Sequence, residues 1–460
     1  MIKLYNSLTK TNEDLKPING DLVKMYSCGP TVYLKPHIGN MRAYIFMDTL
    51  RRVIKYNGYK ILGVMNITDV GHLTDDSDNG DDKMEKSAKL ENKSPYQIAK
   101  ENTDVFLNNL KMLNVDVPEH ITKATEYIPQ MIDFIKRLEA KGYTYIIDDG
   151  VYFDVSKFKD YGKLSNKNMD EIGVARVEEN TQKKHPFDFA LWKFVPENHI
   201  MKWDSPWGVG CPGWHIECSA MGYDVLGDHF DIHTGGIDHL SIHHENEIAQ
   251  SNCAFGHKVV EIWMHNEFVM VDGGKMGKSK GNCYTLDELK EKGFEPLAFK
   301  LFCLNTNYGK TINFTFDAIK SSQSSLNTLR KLVSEHKSGK AKIDVDKLNK
   351  YKNDFLNAVN DNLNTPLAIG IMFGMLKNEP KSQDIYNLAI DFDRVFGLEL
   401  DKTFEKQNTV VPNEIQDLAK ARWEAKQSKD WATADKLRDE ILNKGYQLLD
   451  TKDGYTIKQL

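Results

Sequence analysis

The chain has 460 residues, with 60 Lys and Arg against 66 Asp and Glu, a formal net charge of −6. That balance excludes a protein that holds nucleic acid through a global basic field, so any such partner must meet local patches and shape. A composition of 40% apolar and 10% aromatic residues excludes a largely disordered chain, no apolar run approaches the roughly 18–20 residues of a membrane span, and six cysteines in this length are not a disulfide scaffold.

The N-terminus turns polar at Thr9-Lys10-Thr11-Asn12-Glu13-Asp14. No signal peptide is expected, and the expected location is the cytoplasm. At roughly 150 residues per domain, the length predicts about three domains. Leu22-Val23-Lys24-Met25-Tyr26 is a strand signal that ends in Ser27-Cys28-Gly29-Pro30. Apolar Tyr44, Met47, Leu50 and Ile54 recur at helical steps, and Ile61 to Asn66 reads as a second buried strand. Strand, glycine-containing turn, helix and strand make a βαβ unit, which predicts a parallel sheet and an α/β class. A loop rich in Asp and Gly follows from Asp69 to Asp82, then helices near 94–113 and 124–141. Residues 142–200 mix short strands with polar loops and read as an insertion. The sheet domain resumes near Trp207, with strands at 229–232 and 258–264 around a helical stretch at 239–254. Beyond about residue 310 the pattern is helical. His336 to Lys340 reads as a linker, 345–397 as three amphipathic helices, and 415–443 as a helical hairpin broken at Ser428-Lys429-Asp430. A short β-hairpin around Asp453-Gly454 closes the chain. The last segment, 412–460, carries nine basic and nine acidic residues. It therefore offers no basic tail, although Arg422, Trp423, Lys426, Trp431 and Arg438 mix cations with aromatics, which suits unstacked bases. A packed hairpin with a Trp core explains the same residues.

Three groups of residues carry chemistry. His37-Ile38-Gly39-Asn40 sits at a helix start, where free N–H groups and the positive dipole end suit phosphate. His37 and Asn40 share the first turn and both can donate, although an ordinary helix cap reads the same way. Lys275-Met276-Gly277-Lys278-Ser279-Lys280-Gly281-Asn282 alternates cations with small residues. Such a loop can bring charge over a polyphosphate. The third group is His243-His244-Glu245-Asn246-Glu247, with His243 and Glu247 on one helix face and able to share a metal. Cys218 lies in Pro212 to Met221, and Cys28 ends the first strand. Two thiolates, an imidazole and a carboxylate make a four-ligand zinc set, although each residue taken singly reads as structural. A second set built on Cys211, His215 and Cys218 stays open, and it leaves His243 and Glu247 without a purpose. Cys253, Cys283 and Cys303 read as core thiols.

The pairing of a His-x-Gly helix start with a distant Lys-Met-x-Lys-Ser loop resembles the class I aminoacyl-tRNA synthetases. The zinc set, with Cys28 to Tyr33, Asn66 to Asp69, Trp207 to Met221, Gly235 to Asp238, His243 to Gln250 and Asp430 to Asp435, resembles the cysteinyl-tRNA synthetase family over essentially the whole chain. The resemblance implies a Rossmann-like parallel-sheet catalytic domain over 1–310 with an insertion at roughly 95–200. C-terminal all-helical domains follow: a helical bundle over 311–400 and a small anticodon-recognition domain over 401–460. It implies one zinc per chain on Cys28, Cys218, His243 and Glu247, and it puts Gly29, Thr68 and Trp214 beside the bound amino acid. It puts His37, Asn40 and Lys278 on the ATP phosphates, with Gly236 and Asp238 near the adenosine and Lys275 in the catalytic loop. The implied partners are tRNA(Cys), ATP with Mg²⁺, and L-cysteine, with no membrane and a monomeric state. A metal–thiolate bond discriminates far better than the roughly 10²-fold of a hydrophobic pocket, so no editing site is expected. Three positions depart from the family pattern: Asn40 replaces a histidine, Gly277 replaces a serine and should loosen its loop, and Gly71 to Gly80 lengthen the segment before Asp81-Asp82-Lys83. The competing readings are a cysteine ligase acting on an amino sugar, a non-catalytic RNA-binding relative, and a zinc hydrolase with an open water position. Residues 412–460 argue against the first, and the intact motifs argue against the second.

Overall fold

The computed structural model describes residues 1–71, 82–166, 182–277, 281–402, 412–451 and 454–459. Lys278 and most of the Asp- and Gly-rich loop lie outside the described residues. The chain divides into two compact units, Met1–Asp401 and Lys402–Leu460.

The first unit opens with a hairpin of β1 (Lys3–Asn6) and β2 (Thr11–Asp14). β3 (Leu22–Ser27), α1 (Ile38–Tyr56) and β4 (Lys60–Ile67) form the predicted βαβ unit. α2 (Lys83–Glu91) and α3 (Pro95–Met112) lead to β5 (His120–Lys123). α4 (Ile128–Ala140) precedes an antiparallel sheet of β6 (Thr144–Ile147), β7 (Gly150–Phe153), β8 (Phe189–Phe194) and β9 (Gly210–Pro212). α5 (Trp214–Leu226) returns the chain to β10 (Phe230–Gly236), the single-turn α6 (Ile237–Leu240), α7 (His243–Phe255) and β11 (Val260–Asn266). The helical stretch predicted at 239–254 is thus split, because Ile242 takes a non-helical φ of −137°.

The main sheet is parallel, in the order β11-β10-β3-β4-β5. A parallel sheet needs both faces covered. One buried apolar cluster runs from α1 and α3 into the helices that follow, and a second gathers α4, α5 and α7 on the insertion sheet. The strand order reverses between β3 and β10, and ligands bind at the carboxyl ends of the strands at such a switch point.

A small sheet follows, with β12 (Val269–Val271) between β13 (Gly274–Lys275) and the later β14 (Ile312–Phe314). Asp272 and Gly273 both have positive φ, 48° and 77°, as a two-residue hairpin turn requires. Between β13 and β14 lie α8 (Leu286–Glu291) and α9 (Pro296–Leu304). α10 (Phe316–Lys337), α11 (Val345–Asn360), α12 (Thr365–Asn378) and α13 (Gln383–Phe396) complete the unit, with the rings of Phe355 and Phe392 stacked at 3.9 Å. The stretch read as a linker at 336–340 is instead packed. His336 is buried and donates to the Leu376 carbonyl at 3.0 Å, and Ala341 N–H donates to the Lys381 carbonyl.

The second unit consists of α14 (Asn413–Gln427), α15 (Trp431–Asn443) and the hairpin β15 (Tyr446–Thr451) with β16 (Gly454–Gln459). Its core is small: Ile415, Ala419 and Ile441, flanked by Leu418, Tyr446, Leu448, Tyr455 and Ile457. Trp431 is exposed, so it is not the core tryptophan of this hairpin. Arg422 is buried and makes a forked pair with Asp450 at 2.8 and 3.2 Å.

α1 is held by charge as well as by apolar packing. Asp48 and Lys300 are both fully buried, 2.6 Å apart, and Arg52 reaches the same carboxylate at 2.7 Å. Arg51 forks onto Glu119 at 2.8 and 3.1 Å, in space that exists because residue 63 is glycine: a Cβ there would lie 2.2 Å from the guanidinium. Asp48→Asn strands two cations in a dry site and should cost about 3–5 kcal/mol. A urea midpoint equal to that of the wild type would show that the charge contributes nothing. In the second unit, the Arg422 and Lys426 partners lower the Asp450 pKa below the ordinary carboxylate range. A depressed native pKa stabilises above the unfolded value of about 3.9 and is lost as pH falls through the native one. The stability gap between the wild type and Arg422→Ala should therefore be flat from pH 5 to 8 and narrow below pH 4, followed by tryptophan fluorescence.

Candidate metal and adenylation site

Cys28 follows the last residue of β3, and its N–H donates to Thr234 of β10 at 3.0 Å. α5 brings Cys218 over this strand end, and α7 brings His243 and, one turn later, Glu247. All four side chains are buried, and one donor atom from each lies within 4.8 Å of the others. Cys28 Sγ is 4.0 Å from Cys218 Sγ and 3.9 Å from Glu247 Oε1. His243 Nε2 is 3.5 Å from Cys218 Sγ and 3.0 Å from Glu247 Oε1. Two soft thiols, a borderline imidazole and a hard carboxylate converge, and a bound cation would displace protons from the thiol and imidazole groups.

The electrostatics describe which protons those are. Burial and the neighbouring Cys218 push the Cys28 thiol well up. Burial opposes ionisation of Cys218, but the Cys28 hydrogen bond and the His243 charge prevail and bring it down to about 6. Burial opposes charge on His243, yet Glu247 and Cys218 raise it to about 10. The two histidines 233 and 243 hold Glu247 well below the usual carboxylate range against the cost of burial. A divalent cation would replace the protons of Cys28 and His243 and leave a compensated cluster.

A second donor set overlaps the first: Cys28, His233, His244 and Glu247 also lie within 4.8 Å of one another. Among the described residues these are the two groups that could hold a metal, and neither includes Cys211 or His215. The open alternative built on those residues is therefore not formed. Cys211 lies on β9 opposite Lys193, and His215 Nδ1 meets His243 Nδ1 at 2.9 Å, where it orients the imidazole. His233 Nε2 meets the other Glu247 oxygen at 2.9 Å, and His244 is backed by His265 at 2.7 Å. Sequence reasoning missed His233, His244, His265 and Glu217. They lie on four separate elements, α5, β10, α7 and β11, and meet only through the packing of those elements.

The residues expected beside the amino acid adjoin this cluster. Thr68 donates to Glu217 at 2.7 Å and accepts from Asn66 at 3.1 Å, and Asn66 Oδ1 accepts the Gly29 N–H at 2.7 Å. A Cβ on Gly29 would fall 1.5 Å from the Asn66 carbonyl oxygen, so only glycine fits. The other oxygen of Glu217 is buried without a partner, and burial and Cys218 raise its pKa well above the usual range. The Trp214 ring packs 4.4 Å from the His243 ring. Gly236 ends β10, and a Cβ there would lie 2.3 Å from Asp238 Oδ1.

On the phosphate side, His37 caps α1 and shares a capping box with Asn40. His37 Nδ1 accepts from Asn40 N–H at 3.3 Å, and Asn40 Oδ1 accepts from His37 N–H at 3.1 Å. The Asn40 side chain thus caps the helix through its carbonyl oxygen. Lys275 ends β13, and Met276 Sδ lies 3.4 Å from where a Cβ on Gly39 would be, so the start of the lysine loop reaches the first turn of α1. A Cβ on Gly277 would meet open space, and the Gly277 N–H is held by Asn282 Oδ1 at 2.9 Å.

The family of class I tRNA synthetase (C) catalytic domains matches residues 14–324. A cysteine–tRNA ligase of Novosphingobium aromaticivorans is 42% identical, over 98% of this chain and 95% of its own length. That of Treponema denticola is 39% identical over the whole of both chains. Among solved structures, Mycobacterium tuberculosis methionyl-tRNA synthetase in complex with methionyl-adenylate superposes with a TM-score of 0.57 at 14% identity, over 82% of this chain and 90% of that one, which is a likeness of fold. With its parallel sheet, its switch-point cluster and this full-length similarity, the chain belongs to the cysteine–tRNA ligase family of class I tRNA synthetases.

Proposed function

We propose that this chain activates L-cysteine with ATP, forming cysteinyl-adenylate and diphosphate, and transfers the cysteinyl group to the 3′-terminal ribose of tRNA(Cys). The observation that carries the reading is the convergence of two thiols, an imidazole and a carboxylate at the switch point of the sheet, beside Thr68 and Trp214, in a chain of this family. Cys28, Cys218, His243 and Glu247 would hold one zinc ion. Their 3.0–4.0 Å spacings support it, because zinc bonds of about 2.0–2.3 Å give tetrahedral edges of roughly 3.3–3.8 Å. When bound, zinc supplies a soft Lewis acid that takes a thiolate in preference to a serine hydroxyl.

The chain's own residues do the rest by position and charge. Trp214 walls the amino-acid pocket, and Gly29 lines it where its backbone packs against Asn66. The Thr68 hydroxyl, fixed between Asn66 and Glu217, orients the amino and carboxyl groups. His37 and Asn40 donate to the ATP phosphates at the N-terminus of α1. Gly236 and Asp238 take the adenosine. Lys275 and Lys278 neutralise charge as the bond between the α-phosphorus and the leaving diphosphate breaks, and Mg²⁺ accompanies the nucleotide. Residues 401–460 read the anticodon, and the protein works as a cytoplasmic monomer.

The deciding test supplies ATP, Mg²⁺, labelled cysteine and bulk tRNA, and counts label on precipitated RNA. Label with cysteine and none with serine is expected. Cysteine-dependent diphosphate exchange without label on RNA would instead indicate a small-amine acceptor and sink the tRNA reading. Cys218→Ser should lower zinc retention and cysteine-dependent exchange together, by about 10–100-fold. Full zinc and undiminished exchange in that variant would remove Cys218 from the site. Asn40→Ala should slow exchange about 10²-fold and leave zinc content at one per chain, by metal analysis beside the kinetics. An unchanged rate would assign Asn40 to helix capping alone.

A further inference from the structure

Among the described residues, Arg42, Arg51, Lys300 and Arg422 are buried cations that the proposed chemistry does not use, and the last three each bond a carboxylate. Arg42 lies on α1, two residues past Asn40, and is 2% exposed. Its guanidinium donates to five backbone carbonyls: Glu267 at 2.7 Å, Phe268 at 2.5 Å, Asn307 and Tyr308 at 3.4 Å each, and, most closely, Lys310. None of these five partners is a carboxylate. The side chain is therefore not one half of an ion pair. It is a rigid planar fork whose donors are spread over two backbone segments.

Those segments have a common destination. Glu267 and Phe268 lead into β12, and Asn307 to Lys310 lead into β14. β12 lies between β14 and β13, and β13 ends at Lys275. The small sheet that carries the lysine loop is thus held at its base by a residue of the helix that carries His37 and Asn40. The same two parts also meet where the Phe46 and Tyr308 rings stack at 4.4 Å, where Ile38 N–H donates to the Tyr284 carbonyl at 2.8 Å, and where Met276 approaches Gly39, but only Arg42 bonds both backbone segments through one rigid group.

We infer that Arg42 is a positioning residue for adenylate formation, fixing the distance between the phosphate-binding turn of α1 and the lysine-bearing hairpin. The inference rests on the functional reading above. In that reaction a carboxylate oxygen of the amino acid bonds to the α-phosphorus while the bond to diphosphate breaks. Groups on the two sides of the triphosphate must then be spaced for one geometry, and a misplacement of about 1 Å can cost about 10²-fold in rate. Lysine offers three donors on a flexible stem, so it can satisfy at most three of the five carbonyls.

The test compares full-length wild type with Arg42→Lys and Arg42→Gln, the second having one amide group where arginine has its fork. Zinc content and cysteine affinity, measured by calorimetry without ATP, should be unchanged. The kcat of cysteine-dependent diphosphate exchange should fall about 10–100-fold with KM for cysteine unchanged, and further in Arg42→Gln. Amide hydrogen exchange should rise in peptides covering 267–275 and 307–314, while peptides over 214–222 keep their protection. Wild-type kcat with wild-type protection of both segments would overturn the inference. So would a rise in hydrogen exchange across the whole chain with loss of zinc, which is what a merely structural residue produces. If the wild type shows no diphosphate exchange at all, the functional reading fails on its own. In that case a local loss of protection upholds Arg42 as the link between α1 and the hairpin, and its absence removes that link.

Discussion

The site depends on one parallel pairing. β10 lies against β3, with Ile232 opposite Met25, His233 opposite Tyr26 and Thr234 opposite Ser27. Parallel strands in register end together, so this pairing sets Cys28 beside Gly235 and Gly236 at one edge of the switch point. α5 and α7, which pack against each other over this end of the sheet, are placed relative to these two strand ends. The register is fixed at the opposite end as well, where the buried Asp231 carboxylate accepts from the N–H groups of Lys24 and Ile18 at 2.7 Å each. A slip of one residue would turn every side chain of β10 to the other face. It would point His233 away from Glu247 and break both hydrogen bonds to Asp231.

The donor cluster is costly to fold around. Four ionisable groups meet with little water, and burial disfavours the charged form of each. The compensation is arranged in layers. His243 and His233 surround Glu247, and His215 stands behind His243. The outer histidines resist protonation: burial and neighbouring histidines hold His215 and His244 well below their ordinary value, and His265 falls to about 3. A shell of neutral imidazoles can accept or donate as an inner ligand demands without adding positive charge next to a cation. That arrangement suits a cluster built to hold a cation better than one built to be stable without it.

Local signals place the elements wherever the pattern is periodic or capped. The βαβ unit, the three helices of 345–396 and the hairpin broken at 428–430 follow from apolar spacing and turn residues. His37 at the start of α1 was legible because a cap and a phosphate site use the same exposed N–H groups. Other features were not local. The β1–β2 hairpin is four residues a side and pairs across polar Thr11-Asn12-Glu13-Asp14, so it leaves no apolar alternation to read. β9 is three residues long and joins the insertion sheet, and the next strand of the main sheet comes only at Phe230. His233 joins the cluster through strand register and His244 through the packing of α7, and Glu217 meets Thr68, 149 positions away in sequence. Motif matching identifies residues that recur in a pattern, and such partners are fixed by packing instead.

α1 links these observations. A helix with Tyr44, Met47, Leu50 and Ile54 on one face would bury well on apolar contact alone. Yet Arg42, Asp48 and Arg51 are buried on it too, and each binds a different part of the unit: the two segments around 267–268 and 307–310, then Lys300, then Glu119. Buried charges are poor sources of stability, since desolvation offsets most of the attraction. They are good sources of geometry, because a charged group with several short hydrogen bonds has few alternative positions. A helix anchored along its length by such groups is held in rotation and translation, not merely pressed against a core. Its first turn is where His37 and Asn40 stand, and that turn has no charged anchor of its own. Fixing the shaft is the way to fix its tip while leaving the tip's N–H groups open to a ligand.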